Sequence, residues 1–244
     1  TSAQRIAIDT GDLTTAGGTL SATGTDTLVL HARGTLDNSG GSIGGNGELE
    51  IGAHALDNRQ GSIVAAGSGP SRLDIAAGLD NREGTLSFNG STRVAAGDLH
   101  NAGGDVLAAG DASLDLEVGG LLDNSNGGRL AAGGNLSASA ETLDNRDGRI
   151  EHAGDGALRI DAGIVRGAGG NIASQGDLSL TGEAIDLQGG TTQARRIEVD
   201  AGMLVTADGR LASTGDDALQ LRVRDRLDND RGTLAANGAL DLEA

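Results

Sequence analysis

A short apolar-polar segment recurs through this chain at a nearly fixed interval, and that interval limits what the chain can fold into. The segment reads LDNSGGSI from Leu36, LDNRQGSI from Leu56, LDNREGTL from Leu79 and LHNAGGDV from Leu99. It returns as LDNSNGGRL from Leu122, LDNRDGRI from Leu143 and LDNDRGTL from Leu227, with weaker copies from Leu13, Ile164, Ile185 and Leu204. The spacing is about 21 residues, a period that belongs to solenoids, whose stacked units each need their neighbours to bury an apolar face. About eleven copies account for nearly all 244 residues, so residues 1–244 read as one continuous stack, with its weaker repeats over 164–206.

Each copy carries a second apolar segment that alternates with period two, as in ELEIGA from Glu48, RLDIAA from Arg72, DLSLTG from Asp177 and RIEVDA from Arg196. Alternation over so few residues is a strand signal. Helices are disfavoured by the 43 glycines, each costing a helix interior about 1 kcal/mol relative to alanine. Gly-Gly, Asn-Gly and Asp-Gly pairs between the strands supply sharp corners. The expected fold is all-β: a right-handed parallel β-helix of about eleven coils, the hand following the general preference of parallel crossovers. Leucine-rich repeats need a different leucine spacing, and calcium-binding β-rolls repeat every nine residues or so.

Composition removes several functions. There is no Cys, Trp, Tyr or Lys, and Phe88 is the one aromatic residue. Disulfides, thiolate metal sites and cysteine nucleophiles are therefore excluded. A net charge of −17 argues against nucleic acid and anionic membranes as partners. No apolar run is long enough to span a bilayer, so no membrane insertion is expected. Carbohydrate-cleaving β-helices need clustered carboxylates and aromatic platforms; here Asp and Arg are dealt out by the repeat. The chain reads as a non-enzyme without a cofactor.

At LDNRQGSIVAAG (Leu56), LDNREGTLSFNG (Leu79) and LDNRDGRIEHAG (Leu143) the chain resembles the central repeats of filamentous haemagglutinin. It is similar as well to the stalks of contact-dependent growth inhibition toxins, which share these repeats. The resemblance runs from about Arg5 to the end. It implies a segment of a long Gram-negative exoprotein, secreted or held at the cell surface and exported by two-partner secretion through an outer-membrane transporter. Such proteins serve attachment and virulence, or deliver a toxin to neighbouring cells. The chain is therefore expected to be a fragment of such a protein, shaft material lacking the leader, the Asn-Pro secretion motifs and the toxin domain that the resemblance implies for the parent. The expected role is a shaft holding a receptor-binding or effector region away from the cell.

Four sets of residues invite closer reading. The recurring Asn38, Asn58, Asn81, Asn101, Asn124, Asn145 and Asn229 are expected to point inward near a corner and hydrogen-bond along the axis as an amide ladder. The intervening Asp37, Asp57, Asp80, Asp123, Asp144 and Asp228 are expected outward, as a solvated charged column offset by Arg59, Arg82 and Arg146 rather than a calcium site. His31, His54, His100 and His152 fall at different repeat positions and make no metal site; His100, replacing an outward Asp, is expected to be exposed. Where the repeat weakens, the aligned copies put Arg166, Leu187 and Thr206 at the Asn position. Arg166 with Arg195 and Arg196 is the candidate patch on the irregular 164–206 face, the alternative to a plain shaft being a segment that itself binds a host or neighbouring-cell receptor or glycan there. The open sheet edges at the two ends predict end-to-end self-association of the isolated segment.

Overall fold

The computed structural model describes residues 1–244 and contains strands and turns but no helix. Two parallel sheets run the length of the molecule, one of 12 strands and one of 14, whose strands follow one another in the order of successive coils apart from two short strands that lie off the continuous path. A typical coil contributes a four-residue strand such as Ser62–Ala65 to the first sheet and a nine- or ten-residue strand such as Ser71–Asp80 to the second; in one coil within the stack the long strand is split into Leu114–Val118 and Leu121–Asp123. The twelfth short strand, Ser2–Ala3, precedes the first of the eleven sequence copies and pairs with Thr19–Ala22. At about 4.8 Å per coil, the stack is about 55 Å long.

Each long strand bends in mid-course, giving the coil three sides. Pairing shifts register at these bends, between Ala53 and Leu56 and between Ala96 and Asp98. The backbone groups freed there find local partners. Asp12 Oδ1 accepts the Thr35 amide at 2.8 Å, and Asp98 Oδ1 accepts that of Leu121 at 2.7 Å.

Register puts like side chains on top of one another, and that alignment makes the core. Leu36, Leu56, Leu79, Leu99, Leu122 and Leu143 form one column, and Ile43, Ile63, Leu86, Val106, Leu130 and Ile150 another. All are buried within one apolar cluster of 53 residues. The lone aromatic shows how size is conserved across columns. Phe88 stands fully buried in a column that is made of small residues apart from it and His152, with Ala65 and Ala108 beside it. In the column around the corner, the same coils carry Ser71 and Thr92 where Leu49 and Leu114 stand on either side. The small residues release the volume that the phenyl ring takes, which keeps packing density even.

The turn after each Asn is the tightest point of the coil. Its third residue adopts positive φ, as a glycine in Gly40 (59°) and Gly103 (65°) but as Gln60, Glu83, Asn126, Asp147 and Arg231 elsewhere, and Asp208 does the same in the turn after Thr206. The glycine that follows is needed for a different reason. A Cβ on Gly148 would sit 2.0 Å from the Asn124 carbonyl oxygen of the preceding coil, and Gly61, Gly84 and Gly104 meet the same obstruction. A left-handed residue costs a non-glycine about 1–2 kcal/mol, which the stack tolerates; a backbone collision it does not.

Gly40 has open space around its Cβ position, so Gly40→Ala pays only for its dihedral angle, about 1 kcal/mol. Gly148→Ala must push two coils apart and is expected to cost about 3 kcal/mol or more. Urea unfolding of the two variants checks this; equal midpoints would show that coil spacing is not what the second glycine protects.

Candidate functional site

The repeated Asn side chains converge on one interior line beside the tight turn. Asn38 Nδ2 donates to Asn58 Oδ1 at 2.7 Å, Asn58 to Asn81 at 2.7 Å and Asn81 to Asn101 at 2.7 Å. Asn101 continues to Asn124 at 2.8 Å, and Asn124 to Asn145 at 2.7 Å. All six are fully buried. The second N–H of each amide turns to backbone carbonyls; Asn81 Nδ2, for example, reaches the Gly84 and Asp105 oxygens at 3.3 and 3.1 Å. The donors all point the same way, so the first Oδ1 needs a donor from outside the series. Thr15 Oγ1 supplies it to Asn38 at 2.7 Å. Asn229 lies apart from this run and takes its hydrogen bond from Thr206 Oγ1 at 2.8 Å.

Register corrects one position. Asp144 pairs with Arg166 and Leu143 with Val165, so the residue aligned with Asn145 is Gly167, not Arg166. The copy from Ile164 therefore starts one residue later than its spelling suggests. Arg166 faces outward and is exposed, as burial of an unpaired guanidinium would demand. Leu187 and Thr206 do occupy the inward position and are buried.

The three arginines do not form one patch. Arg166 ends the long strand Ala157–Arg166, whereas Arg196 begins the strand Arg196–Val205, and the strand Asp177–Asp186 lies between them. Arg195 pairs with Asp177 at 2.9 Å, and Arg196 contacts Gln220 at 3.5 Å.

The Asp of LDN has a local duty that the sequence does not announce. Asp37, Asp57, Asp80, Asp123, Asp144, Asp186 and Asp228 each accept through Oδ1 the backbone N–H two residues on, at 2.9–3.2 Å. This bond closes the entry to the tight turn as an Asx-turn. The carboxylates are accordingly half-buried, and Asp144 is only 6% exposed, so the column is less open to water than expected. Arg59, Arg82 and Arg146 fold back on their own Asp at 2.5 Å, and Arg59 also approaches Asp80 of the next coil at 3.7 Å. The Arg59 side-chain hydrogen bonds hold Asp57 below the ordinary carboxylate range. For Asp80 and Asp144 desolvation is the largest single influence and pushes upward, but the arginine and backbone hydrogen bonds together with the arginine charge outweigh it and lower them too. No group of three or more His, Asp or Glu side chains could hold a metal ion. His100 is half-buried rather than exposed.

His152 is the buried group that repeat reading overlooks. It occupies the small-residue column between Ala132 and Ser174 and is 2% exposed. Its Nδ1 lies 2.8 Å from Ser174 Oγ, which already accepts the Gly176 amide at 3.1 Å. The Nδ1–Oγ contact serves either tautomer, the hydroxyl donating to Nδ1 or accepting from it, and Nε2 has no hydrogen-bond partner. Desolvation pushes the imidazole below its ordinary value of 6.5, only partly opposed by the Gly134 backbone and Asp155.

Against known families, the haemagglutinin repeat matches residues 1–40, 38–69, 68–115, 112–163 and 153–244. The matches span the chain, which therefore belongs to the haemagglutinin repeat family. Neither the curated proteins nor the solved structures contain a match.

Two outcomes follow. Asn81→Ala orphans the Asn58 donor and the Asn101 acceptor in a dry interior, and is expected to cost about 3–4 kcal/mol, at 1–3 kcal/mol for each unsatisfied group; an unchanged urea midpoint would contradict the ladder's energetic role. His152 is neutral in the folded chain, while an unfolded histidine takes up a proton near pH 6.5. Stability from this residue is therefore full above that pH and is lost as the pH falls toward the depressed folded value. His152→Phe, using a ring the column accommodates at Phe88, should flatten the stability profile between pH 7 and 5; a retained slope would place its source elsewhere.

Proposed function

We propose that this chain is a shaft segment of a large secreted bacterial surface adhesin of the filamentous haemagglutinin type. The observation that carries the reading is continuity: two sheets and their apolar columns pass through every coil without a change of fold. Backbone pairing at every step resists bending. A stiff body of this kind places a receptor-binding or toxin-bearing region at a distance. Haemagglutinin repeats are typically structural or adhesive, which supports a mechanical rather than catalytic role. Export fits the same picture, because coils that stack outside the cell oppose return through an outer-membrane transporter of the two-partner type.

A second reading has a specific observation in its favour. The irregular coils present Ile164 and Met203, 39% and 46% exposed, in one outward column with Ala184 between them. Exposed apolar side chains aligned over neighbouring coils suit contact with a receptor on a host or neighbouring cell.

Deletion of residues 80–99 tests the two readings. Register joins Leu79 to the position of Leu99, so the deletion removes one coil and lets Asn58 meet Asn101. As part of a shaft, the shortened parent protein should keep its adhesion and lose about 5 Å of length. A receptor-binding segment predicts instead that Ile164→Asp with Met203→Asp abolishes cell binding while the fold persists. Unaltered binding by that variant removes the second reading; lost adhesion after deletion of a regular coil overturns the first.

A further inference from the structure

The amide ladder has a direction, and it stops inside the molecule. From Asn38 to Asn145 every Nδ2 donates to the Oδ1 of the following coil. At the next position Gly167 offers no side chain, and Asn145 Nδ2 ends on the Asn171 carbonyl at 3.4 Å. One coil further, Leu187 turns its Cδ2 into the space a Gly167 Cβ would occupy, 3.0 Å from it. The series restarts at Thr206, whose hydroxyl donates to Asn229 as that of Thr15 does to Asn38. Two polar runs, each opened by a threonine hydroxyl, are thus separated by an apolar plug.

A second, independent loss falls on the same turn. Arg166 stands where an Asp in most coils accepts the amide two residues on, so the turn at 166–170 lacks both an interior polar side chain and the Asx bond; the turn after Val205 also lacks the Asp but keeps the Thr206 hydroxyl in the polar line. What holds it are main-chain bonds: Gly167 N–H to Asp186 O at 2.6 Å, Gly169 N–H to Gln188 O at 2.9 Å and Gly170 N–H to Gly167 O at 2.9 Å. No other coil between Asn38 and Asn145 loses both; the coil of His100 lacks the Asp but keeps Asn101 in the ladder.

We propose that the coils carrying Gly167 and Leu187 are a built-in yield point, dividing the stack into two segments that unfold and re-form as separate cooperative units. Aligned amides polarise one another, so each coil of the first run strengthens the next. The plug interrupts that coupling while the sheets pass through it. The body then stays straight at rest but gives way first at one defined place when pulled. This property concerns how the chain yields under load and stands whichever of the two functional readings holds.

Two measurements on the full chain test it. Hydrogen exchange compares equivalent turn amides, Gly148 and Gly170, which donate to Asn145 O and Gly167 O at 3.0 and 2.9 Å. Gly170 should exchange about tenfold faster or more, as local opening requires. Pulling from the two termini should give two unfolding events, the larger from the residues before 167. Double substitution Gly167→Asn with Leu187→Asn completes a ladder running from Thr15 to Asn229, and should merge the events and slow Gly170 to the rate of Gly148. Leu187→Asn alone leaves an amide facing Gly167 with nothing to accept from, and should lower the unfolding force. Equal protection of Gly148 and Gly170 in the unaltered chain, or a single unfolding event, overturns the proposal even if the double variant does not fold.

Discussion

Everything in this molecule depends on parallel pairing between coils with the same residue over its own counterpart. A coil on its own has three short strands and no interior. Stacked in register, it contributes a slice to continuous columns of Leu, Ile and Val, and the main-chain donors of each coil meet the acceptors of the next. The cost of burying polar atoms is met by the same repetition. An Asn side chain in a dry interior would lose more than one hydrogen bond to water, yet in register it finds the identical group one coil away, with donor facing acceptor. Repetition converts a buried polar residue from a liability into a bond along the axis.

The close approach of successive turns sets the second constraint. Carbonyl oxygens of one coil occupy the place where the next coil's turn glycine would carry a Cβ, so the spacing of the sheets and the identity of that glycine are linked. The neighbouring residue, held at positive φ, is freer: Gln, Glu, Asp and Arg all occupy it. Charge enters only at the rim of this turn, where Asp caps the backbone and Arg folds over Asp. Those contacts lie at the surface, where ion pairs add little, and their main service is to let acidic residues repeat at each coil without adding their repulsions.

How much of this is legible in the sequence depends on whether a feature obeys the repeat. The coil period, the alternating strands, the turns and the parallel stack all come from side-chain patterns that recur, and family membership rests on the same patterns. Features carried by single departures are harder to read. The weakened copy from Ile164 spells IVRG, and only strand register shows that Val165 stands over Leu143 and Gly167 over Asn145. A one-residue slip exchanges inside for outside, so Arg166 moves from the core line to the surface. His152 sits where alanine, serine or glycine is usual, and no local pattern marks a lone large residue as interior; Phe88 is betrayed only by Ser71 and Thr92 around the corner. The Asx bonds of the Asp column are equally hidden, because an outward carboxylate and a turn-capping one are spelled alike.

The side-chain amides of Asn58, Asn81, Asn101 and Asn124 offer the most direct test that coils are joined from within as well as through their backbones. Nuclear magnetic resonance can follow exchange of their Nδ2 protons against those of Asn46, Asn89 and Asn237, whose amides donate to carbonyls at exposed corners. The ladder predicts that the interior protons persist long after the corner set has exchanged, disappearing only as coils open. Interior amides that exchange as fast as those at the corners would contradict it, and with it the claim that identical residues in register hold this solenoid together.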